Sequence, residues 1–359
     1  MSIWDSLRGH ADQKEMFQRA IRRGRLSQAY LFVGPAGIGK QQFARRLAHS
    51  LLCLNLGDDP LEPCGKCAGC KPFLAGSNPD FLYVGCPEGK RELPIALLLG
   101  PDERRGQEGL CHDLSLAPLP GSRKVALVDD ADTMNEWSAN AFLKTLEEPP
   151  DRAILILIAS NLDSLLPTIR SRCQLVRFSP LTNGDVEALL MEQSLVESKE
   201  EAQFAAAMSE GSLFVAQQLL EPELKNLRKL LYSELSQPNF SGLGLSKQLM
   251  EGLSSISTQT PEQRRNAQWL IRFTVEFFRA ALWKMTGQSS ESSSSIDLAE
   301  PFAVRIANQP DGTERLGALI DRTVDASSHI DDNISVPLCL DSLYDELARL
   351  VRSPVPATR

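Results

Sequence analysis

The amino-acid sequence predicts an α/β domain with a parallel sheet in the first half of the chain and an all-helical second half. Three apolar runs, residues 30–33, 124–128 and 153–159, have the length and composition of strands buried on both faces of a parallel sheet. Each run is followed by glycine, acidic or amide residues, at the end of the strand where ligands bind in open α/β sheets. From residue 223 onward, apolar residues recur at helical spacing instead.

Composition and charge limit the class of protein. The chain has 359 residues, 42% of them apolar and 23% charged, which is typical of a globular protein with two or three domains. No apolar run approaches the ~20 residues of a membrane helix, and the N-terminus has no export signal, so we predict a cytoplasmic protein without membrane contact. The net charge of −8 argues against a free-standing nucleic-acid binder but allows DNA contact through an assembly.

The first predicted strand runs into a glycine-rich loop and then a helix. The sequence GPAGIGK fits the phosphate-binding motif G-x-x-x-x-G-K in the strand–loop–helix context that the motif requires. Glycines let backbone N–H groups face a phosphate, and Lys40 supplies a charge for the outer phosphates. The motif has Ser or Thr after the lysine to hold Mg²⁺, whereas this chain has Gln41. The predicted nucleotide-binding residues are Gly34, Pro35, Gly37, Ile38, Gly39, Lys40 and Gln41.

The strand at residues 124–128 ends in acidic residues. In a nucleotide hydrolase, Asp129 would hold Mg²⁺ through water and Asp130 would activate or orient the attacking water. The usual second residue is Glu, and the shorter Asp withdraws the carboxylate by about 1 Å, a misplacement that can cost ~100-fold in rate. The alternative is an acidic turn that caps the following helix.

Four cysteines have the spacing of metal ligands. Cys64, Cys67 and Cys70 form C-x2-C-x2-C, and Cys53 at the end of the preceding predicted helix is the natural fourth ligand. His49, one helical turn earlier, is a substitute ligand or, more simply, a packing histidine. Four protein ligands would close the site, so we predict a structural rather than a catalytic zinc ion.

Two segments have a weaker signal. Residues 85–108 mix glycine, proline and charges around a short apolar patch, which predicts a loop excursion with one short element. The serine-rich stretch at residues 288–295 is of low complexity and predicts a mobile loop between helices. The sequence assigns neither segment a role.

Taken together, the phosphate loop, the four cysteines, KTLEEPP at residues 144–150 and Ser171-Arg172-Cys173 resemble the clamp-loader AAA+ family of bacterial DNA polymerase III. The loop alone would indicate only a P-loop NTPase. The other motifs narrow the resemblance, with the Ser-Arg-Cys triplet expected on a helix after the strand AILILIAS. The resemblance is strong over residues 26–181, about half of the chain.

This resemblance implies a three-part architecture. Residues 1–180 would form an AAA+ P-loop NTPase domain with a zinc module at 53–70. Residues 181–222 would form a small helical lid, and residues 223–359 an all-α collar domain for oligomerisation. The pattern of residues alone supports only a helical second half.

The resemblance also implies the roles of individual residues. Asp129 and Asp130 match the acidic pair, and either Ser160 or Asn161 takes the sensor-1 position near the γ-phosphate. Arg172 matches the arginine finger, which reaches into the nucleotide site of the neighbouring subunit. Its alternative is an ordinary arginine paired with a nearby acid.

Departures from the family pattern indicate an impaired ATP site. Gln41 replaces the Mg²⁺-holding hydroxyl, Asp130 replaces Glu, and Phe214 stands where working ATPases of the family have a sensor-2 arginine. The resemblance therefore implies a subunit with little or no ATPase and no polymerase active site of its own, which supplies Arg172 to a neighbour. The alternative is an active, gamma/tau-type motor subunit.

The implied process is loading of the sliding clamp onto primed DNA during replication. The implied partners are other clamp-loader subunits of the gamma/tau and delta types, with the sliding clamp and primed DNA contacted through the complex. The implied cofactor is structural Zn²⁺, while the presence of ATP and Mg²⁺ is left open.

Overall fold

The computed structural model describes residues 2–87, 90, 92–257, 260–286, 293–309, 311–331 and 334–352. Contacts divide the chain into two compact units. The N-terminal unit comprises Met1–Leu189 with Glu210–Phe214, and the helical unit comprises Leu190–Ser209 with Val215–Arg359. The boundaries at residues 180 and 222 stay a prediction, because these contacts separate two units and do not delimit a lid.

A five-stranded parallel sheet forms the centre of the N-terminal unit. Its strands are β1 Ala29–Val33, β2 Phe81–Val84, β3 Lys124–Val128, β4 Ala153–Ala159 and β5 Gln174–Arg177, in the order β2-β3-β4-β1-β5. Because β1 runs parallel to both β4 and β5, and β3 to β4, the loops after these strands meet at one edge of the sheet. We call this the carboxyl edge. The parallel sheet is confirmed, although β2 is not predicted from the sequence.

Helices account for most of the remaining described chain. Those in residues 11–219 are α1 Ala11–Arg22, α2 Lys40–Leu52, α3 Cys70–Leu74, α4 Ile95–Leu99, α5 Leu110–Ser115, α6 Glu136–Glu147, α7 Pro167–Arg170, α8 Asn183–Glu192, α9 Lys199–Met208 and α10 Leu213–Leu219. Those in residues 222–352 are α11 Pro222–Ser236, α12 Gly242–Ile256, α13 Thr260–Thr286, α14 Ser293–Ala307, α15 Gly312–Asp331 and α16 Val336–Arg352. None of the described helices is long and apolar enough to cross a membrane.

The two segments with weak sequence signals have different outcomes. Within residues 85–108, α4 is the short element that the apolar patch predicts, and a 3-10 turn follows it at Asp102–Arg104. Most of the serine-rich segment at 288–295 lies outside the described residues. Its last three residues already belong to α14, so the helix begins earlier than the composition indicates.

Alternate residues of the buried strands face two different cores, as the two-residue repeat of a strand requires. On one side of β1, Tyr30 and Phe32 pack with Phe17 of α1, and Phe32 packs with Phe43 of α2. The intervening side chains join a second core that includes the apolar face of α6. Because Phe43 is fully buried among these rings, α2 and its first residue, Lys40, are fixed against the carboxyl edge.

The helical unit has its own core, and arginine side chains in this unit donate to carbonyl groups at the ends of helices. Arg264 donates to the carbonyl of Ile330 near the end of α15, and Arg305 donates to the carbonyl of Ser236 at the end of α11 at 3.0 Å. The last carbonyls of a helix have no partner within the helix, and cationic donors are favourable there. These contacts tie helices that are distant in sequence to one another.

Arg315 gives the clearest stability test in this unit. It is 4% exposed, donates to the Val351 carbonyl at 3.2 Å and pairs with the Asp311 carboxylate at 3.0 Å. We expect Arg315→Ala to lower the free energy of unfolding of the helical unit by about 2–3 kcal/mol, because it removes a buried guanidinium together with its hydrogen bond to the Val351 carbonyl and its ion pair with Asp311. Denaturant titration followed by circular dichroism measures the loss.

The matched control is Arg349→Ala. Arg349 pairs with Asp345 one turn away on α16, and its side chain is 76% exposed. An exposed pair of this kind contributes under about 0.5 kcal/mol. Equal losses for the two variants would show that burial of Arg315 does not matter.

Candidate functional site

The glycines of the loop after β1 are required by its shape. Gly37 and Gly39 have φ values of 74° and 97°, in the left-handed region that residues with side chains disfavour. At Gly34 the reason is space, since a Cβ there would lie 2.3 Å from the carbonyl oxygen of Phe178. The loop therefore passes close to the end of β5 and leads directly into α2.

The Lys40 side chain is buried and folds back onto this loop. Its Nζ donates to the carbonyl oxygens of Gly34 and Pro35, each at 2.6 Å. Burial lowers the pKa of Lys40, and the acidic residues after β3, first among them Asp129, oppose this shift. The structure thus places the lysine between the loop and the acidic end of β3, where the motif predicts it.

Gln41 is hydrogen-bonded to the acid that the sequence predicts as a Mg²⁺ ligand. Its Nε2 donates to Asp129 Oδ2 at 2.7 Å and to the Tyr83 hydroxyl at 3.0 Å. The other oxygen of Asp129 accepts the backbone N–H of Asp130 at 3.1 Å. Burial raises the pKa of Asp129, and these N–H donors oppose the shift. Both carboxylate oxygens are therefore bonded to donors of the chain itself.

The other predicted residues of this edge meet around Asp132, which the sequence patterns do not single out. Asp132 Oδ2 accepts the backbone N–H groups of Ser160 at 2.9 Å and Asn161 at 3.1 Å. The Asn161 side-chain oxygen accepts the backbone N–H of Asp163 at 2.9 Å, so it caps its own turn. The backbone of Asp130 is in the left-handed region. Burial raises the pKa of Asp130, and the neighbouring carboxylates raise it further.

The segment that ends in Phe214 lies directly against the phosphate loop. Ser212 Oγ donates to the Ala36 carbonyl at 2.8 Å, and the Leu213 N–H donates to the Gly37 carbonyl at 3.0 Å. A Cβ on Gly37 would lie 2.4 Å from the Cβ of Phe214. The position at which the resemblance implies a missing arginine is thus beside the loop, and a half-exposed phenyl ring occupies it.

Arg172 lies in a turn and not on a helix. Helix α7 ends at Arg170, and Ser171 and Arg172 form the turn that leads into β5 at Gln174. The expectation of a helical Ser-Arg-Cys triplet is therefore wrong, because the chain must already extend to reach its register with β1. Since β5 begins after Arg172, this arginine is at the amino edge of the sheet, opposite the phosphate loop.

The guanidinium of Arg172 is paired with an acid of the KTLEEPP segment. Its Nε donates to Glu147 Oε1 at 2.8 Å, Nη2 contacts the same oxygen, and Nη1 donates to the Thr168 carbonyl at 3.0 Å. The arginine side chain is 32% exposed. The ordinary ion pair considered as the alternative for Arg172 is thus present, and it aims the guanidinium at the surface.

The four cysteines converge on one point. Their sulfurs all lie within 4.8 Å of one another, with Cys64 to Cys70 and Cys67 to Cys53 each 4.0 Å apart. A tetrahedral zinc ion with Zn–S bonds of ≈ 2.3 Å needs sulfurs about 3.8 Å apart. Burial raises the pKa of Cys67, but backbone N–H groups that donate to its sulfur outweigh burial and lower it to about 6. A metal such as zinc therefore fits this cluster.

His49 is a packing residue and lies outside the cysteine cluster. Its ring is buried and stacks on Phe73 of α3, with centroids 4.7 Å apart and planes 11° apart. Burial lowers the pKa of His49. The histidine supports the module that carries Cys70, and the four sulfurs are grouped without it.

A cavity of about 320 Å³ lies next to the phosphate loop. Its wall includes His10, whose Nε2 is 2.7 Å from the carbonyl oxygen of Ile38 in the loop. The rest of the wall comes from residues 9–13 and from residues 179–182 with Asp185. The volume is at the small end of the range for ligand sites. No sequence motif marks this cavity.

Comparisons with known proteins show similarity to subunits of DNA polymerase III. Residues 9–182 match the family model described as "DNA polymerase III, delta subunit". The chain is 34% identical over 208 residues to DNA polymerase III subunit delta' of Pseudomonas aeruginosa, covering 58% of this chain and 60% of the relative. It is 36% identical over 181 residues to subunit delta' of Bacillus subtilis, covering 50% and 51%.

Over residues 9–182, just under half of the chain, the sequence is therefore similar to DNA polymerase III subunits. The predicted AAA+ P-loop fold of the first half is confirmed by this match and by the parallel sheet. The matched range contains the phosphate loop, the four cysteines and Arg172, whereas Phe214 lies beyond it.

Relatives outside the delta' group are also similar. DNA polymerase III subunit tau of Bacillus subtilis is 32% identical over 225 residues, which cover 63% of this chain and 36% of that relative. The chain spans about half to three fifths of the length of the two delta' relatives.

Two residues that contact the predicted site residues are not indicated by the sequence patterns. Tyr83 lies on β2, whose run Phe81–Val84 follows an Asn-Pro-Asp turn, and that signal could have indicated a strand. Asp132 follows the acidic pair after β3, and only the fold shows that it reaches the end of β4.

Proposed function

We propose that this chain is a delta-prime-type subunit of the bacterial clamp loader of DNA polymerase III, which helps to load the sliding clamp onto primed DNA. It turns over little or no ATP itself and presents Arg172 to the nucleotide site of a neighbouring gamma/tau-type subunit. The family match of residues 9–182 and the two delta' relatives support this proposal.

The observation that carries the proposal is the position of Arg172 at the amino edge of the sheet. The phosphate loop follows β1 at the carboxyl edge, and β5 separates the two edges by four residues, about 13 Å at ~3.3 Å per residue. One side chain cannot span that distance. The partly exposed guanidinium is therefore out of reach of its own nucleotide site and near the surface, which is what a finger in trans requires.

The residues of the chain's own site support the second part of the proposal. Gln41 is bonded to Asp129, Asp130 is shorter than the usual Glu, and Phe214 brings no positive charge to the phosphate loop. Each departure removes one contribution to phosphoryl transfer, which depends on positioned charge more than on covalent chemistry.

The remaining parts of the proposal concern partners, cofactor and location. We place the chain in a hetero-oligomer with gamma/tau- and delta-type subunits, in contact with the sliding clamp and primed DNA through that complex. The cysteine cluster holds a structural zinc ion. The all-α second half is the collar through which the subunits assemble, and the assembly works in the cytoplasm.

Reconstitution tests the proposal. The purified chain is combined with gamma/tau- and delta-type subunits, sliding clamp and primed DNA, and ATP turnover and clamp loading are measured. We expect little turnover by the chain alone, clamp loading by the complete assembly, and none when this chain is omitted. Lys40→Ala in this chain should leave the assembly's turnover unchanged.

An active motor subunit is the second candidate. Lys40 and Asp129 are both retained at the loop, and the tau relative is 32% identical over 225 residues. This candidate requires substantial turnover by the isolated chain, abolished by Lys40→Ala. That result would replace the delta-prime proposal.

A further inference from the structure

The residues after the phosphate-loop lysine do not fit the Mg²⁺ ion that this fold ordinarily holds. Mg²⁺ needs near-octahedral oxygen ligands, which P-loop enzymes supply from a Ser or Thr hydroxyl and an acid after β3. Here the amide nitrogen of Gln41, a donor, lies 2.7 Å from Asp129 Oδ2. The N–H group of Gln41 therefore occupies the side of the Asp129 carboxylate at which a Mg²⁺ ion would bind.

Tyr83 completes this arrangement from the neighbouring strand. Its hydroxyl accepts the second amide hydrogen of Gln41 at 3.0 Å and lies 3.5 Å from Asp129 Oδ2. Gly85 makes room for the contact, because a Cβ there would lie 2.8 Å from that hydroxyl. Both hydrogens of the Gln41 amide are thus used, and the end of the amide that faces Asp129 is the nitrogen, which does not coordinate metals, and not the oxygen.

The phosphate cradle itself keeps its positive character. Gly37 and Gly39 retain the left-handed backbone of a phosphate loop, and α2 begins at Lys40. Lys40 Nζ donates to two carbonyl oxygens of the loop, at 2.6 Å each. Phosphate oxygens are stronger, charged acceptors for the same ammonium group. The cavity lined by His10, whose ring contacts the Ile38 carbonyl of the loop, offers space for the remainder of a nucleotide.

We infer that this phosphate loop binds nucleotide di- or triphosphates without Mg²⁺, with the Gln41 amide as a built-in substitute for the cation. The inference rests on the proposed function in one respect, namely that the loop is an AAA+ nucleotide site. The inference goes beyond the loss of ATP turnover, because it states that the affinity of this chain for nucleotide is independent of divalent cations.

Equilibrium binding to the full chain tests this inference. Fluorescently labelled ADP and ATP are titrated with the protein and followed by fluorescence anisotropy, once with Mg²⁺ and once with EDTA. We expect the same affinity in both buffers for the wild-type chain. Gln41→Thr should bind about tenfold more tightly with Mg²⁺ than with EDTA, a difference of ~1.4 kcal/mol.

The adjacent glutamine provides the matched control. Gln42→Thr makes the same change one position along α2, where the side chain contacts Arg46 and is exposed, and it should behave as the wild type does. Lys40→Ala should abolish binding in both buffers. Circular dichroism verifies that each variant is folded. If Gln41→Thr misfolds, Gln41→Ser is used in its place.

The wild-type measurement alone can overturn the inference. A tenfold or greater loss of affinity in EDTA would show that the site uses a metal, and no binding in either buffer would show that the cradle is not a nucleotide site. Neither result touches clamp loading by the assembly, which tests the proposed function. Equally, an inactive assembly would leave cation-independent binding by the isolated chain intact.

Discussion

Arg172→Ala is expected to slow ATP hydrolysis at the neighbouring site of the assembled clamp loader by about 10³-fold. The guanidinium lies at the amino edge of the sheet, is 32% exposed, and cannot reach the phosphate loop of its own chain. Its removal therefore takes transition-state charge from the partner's site while nucleotide binding by this chain is unchanged. Clamp-stimulated ATP turnover and the rate of clamp loading by the reconstituted assembly measure the loss.

Arg170→Ala is the matched control for this experiment. Arg170 is two residues away at the end of α7, and its guanidinium forms a long ion pair with Asp163, at 3.9 Å. It should leave turnover unchanged, whereas Arg172→Lys should recover only part of the activity because an ammonium lacks the planar fork of donors. An assembly with Arg172→Ala that hydrolyses ATP at the wild-type rate would refute the finger.

The ion pair with Glu147 does not compete seriously with this role. An exposed arginine–carboxylate pair contributes under about 1 kcal/mol. A 10³-fold effect on the rate corresponds to about 4 kcal/mol of transition-state stabilisation. The two readings of Arg172 are therefore compatible. Glu147 orients the guanidinium of Arg172. The stronger interaction with a phosphoryl group of the neighbouring subunit then replaces the ion pair with Glu147.

The sheet was largely predictable because its central strands consist almost entirely of consecutive apolar residues. β4 is seven consecutive apolar residues, all buried, and β3 is buried throughout. β2 gives no such signal, because it is an edge strand of four residues, none of them fully buried. A short run that is half solvated has no periodicity that distinguishes it from a loop.

The candidate site was predictable in most of its members, Tyr83 and Asp132 excepted, but not in its contacts. The motif and the strand ends indicate Lys40, Gln41 and Asp129 without any structure. The hydrogen bond between Gln41 and Asp129 joins residues 88 positions apart, and the pairing of Arg172 with Glu147 joins residues 25 apart. Such contacts depend on strand order and register, which local patterns do not encode.

Loss of one cysteine ligand should have the largest effect on stability. We expect Cys64→Ser to reduce the zinc content from one per chain toward none and to lower the melting temperature of the N-terminal unit by on the order of 10 °C. Zinc bound by four thiolates contributes its binding free energy directly to folding. The backbone N–H of Cys64, which donates to the Cys53 sulfur at 3.3 Å, further couples the ligands to the loop between them.

Cys86→Ser is the control, since it makes the same chemical change in the same unit but outside the four-sulfur cluster. Its sulfur donates to the Lys90 carbonyl at 3.4 Å and is not one of the four clustered sulfurs, so zinc content and melting temperature should stay near the wild-type values. Metal analysis of the purified chain and thermal unfolding followed by circular dichroism provide both readouts. A wild-type chain without bound metal, or a Cys64→Ser variant that keeps its zinc and its stability, would exclude a structural zinc ion at this cluster.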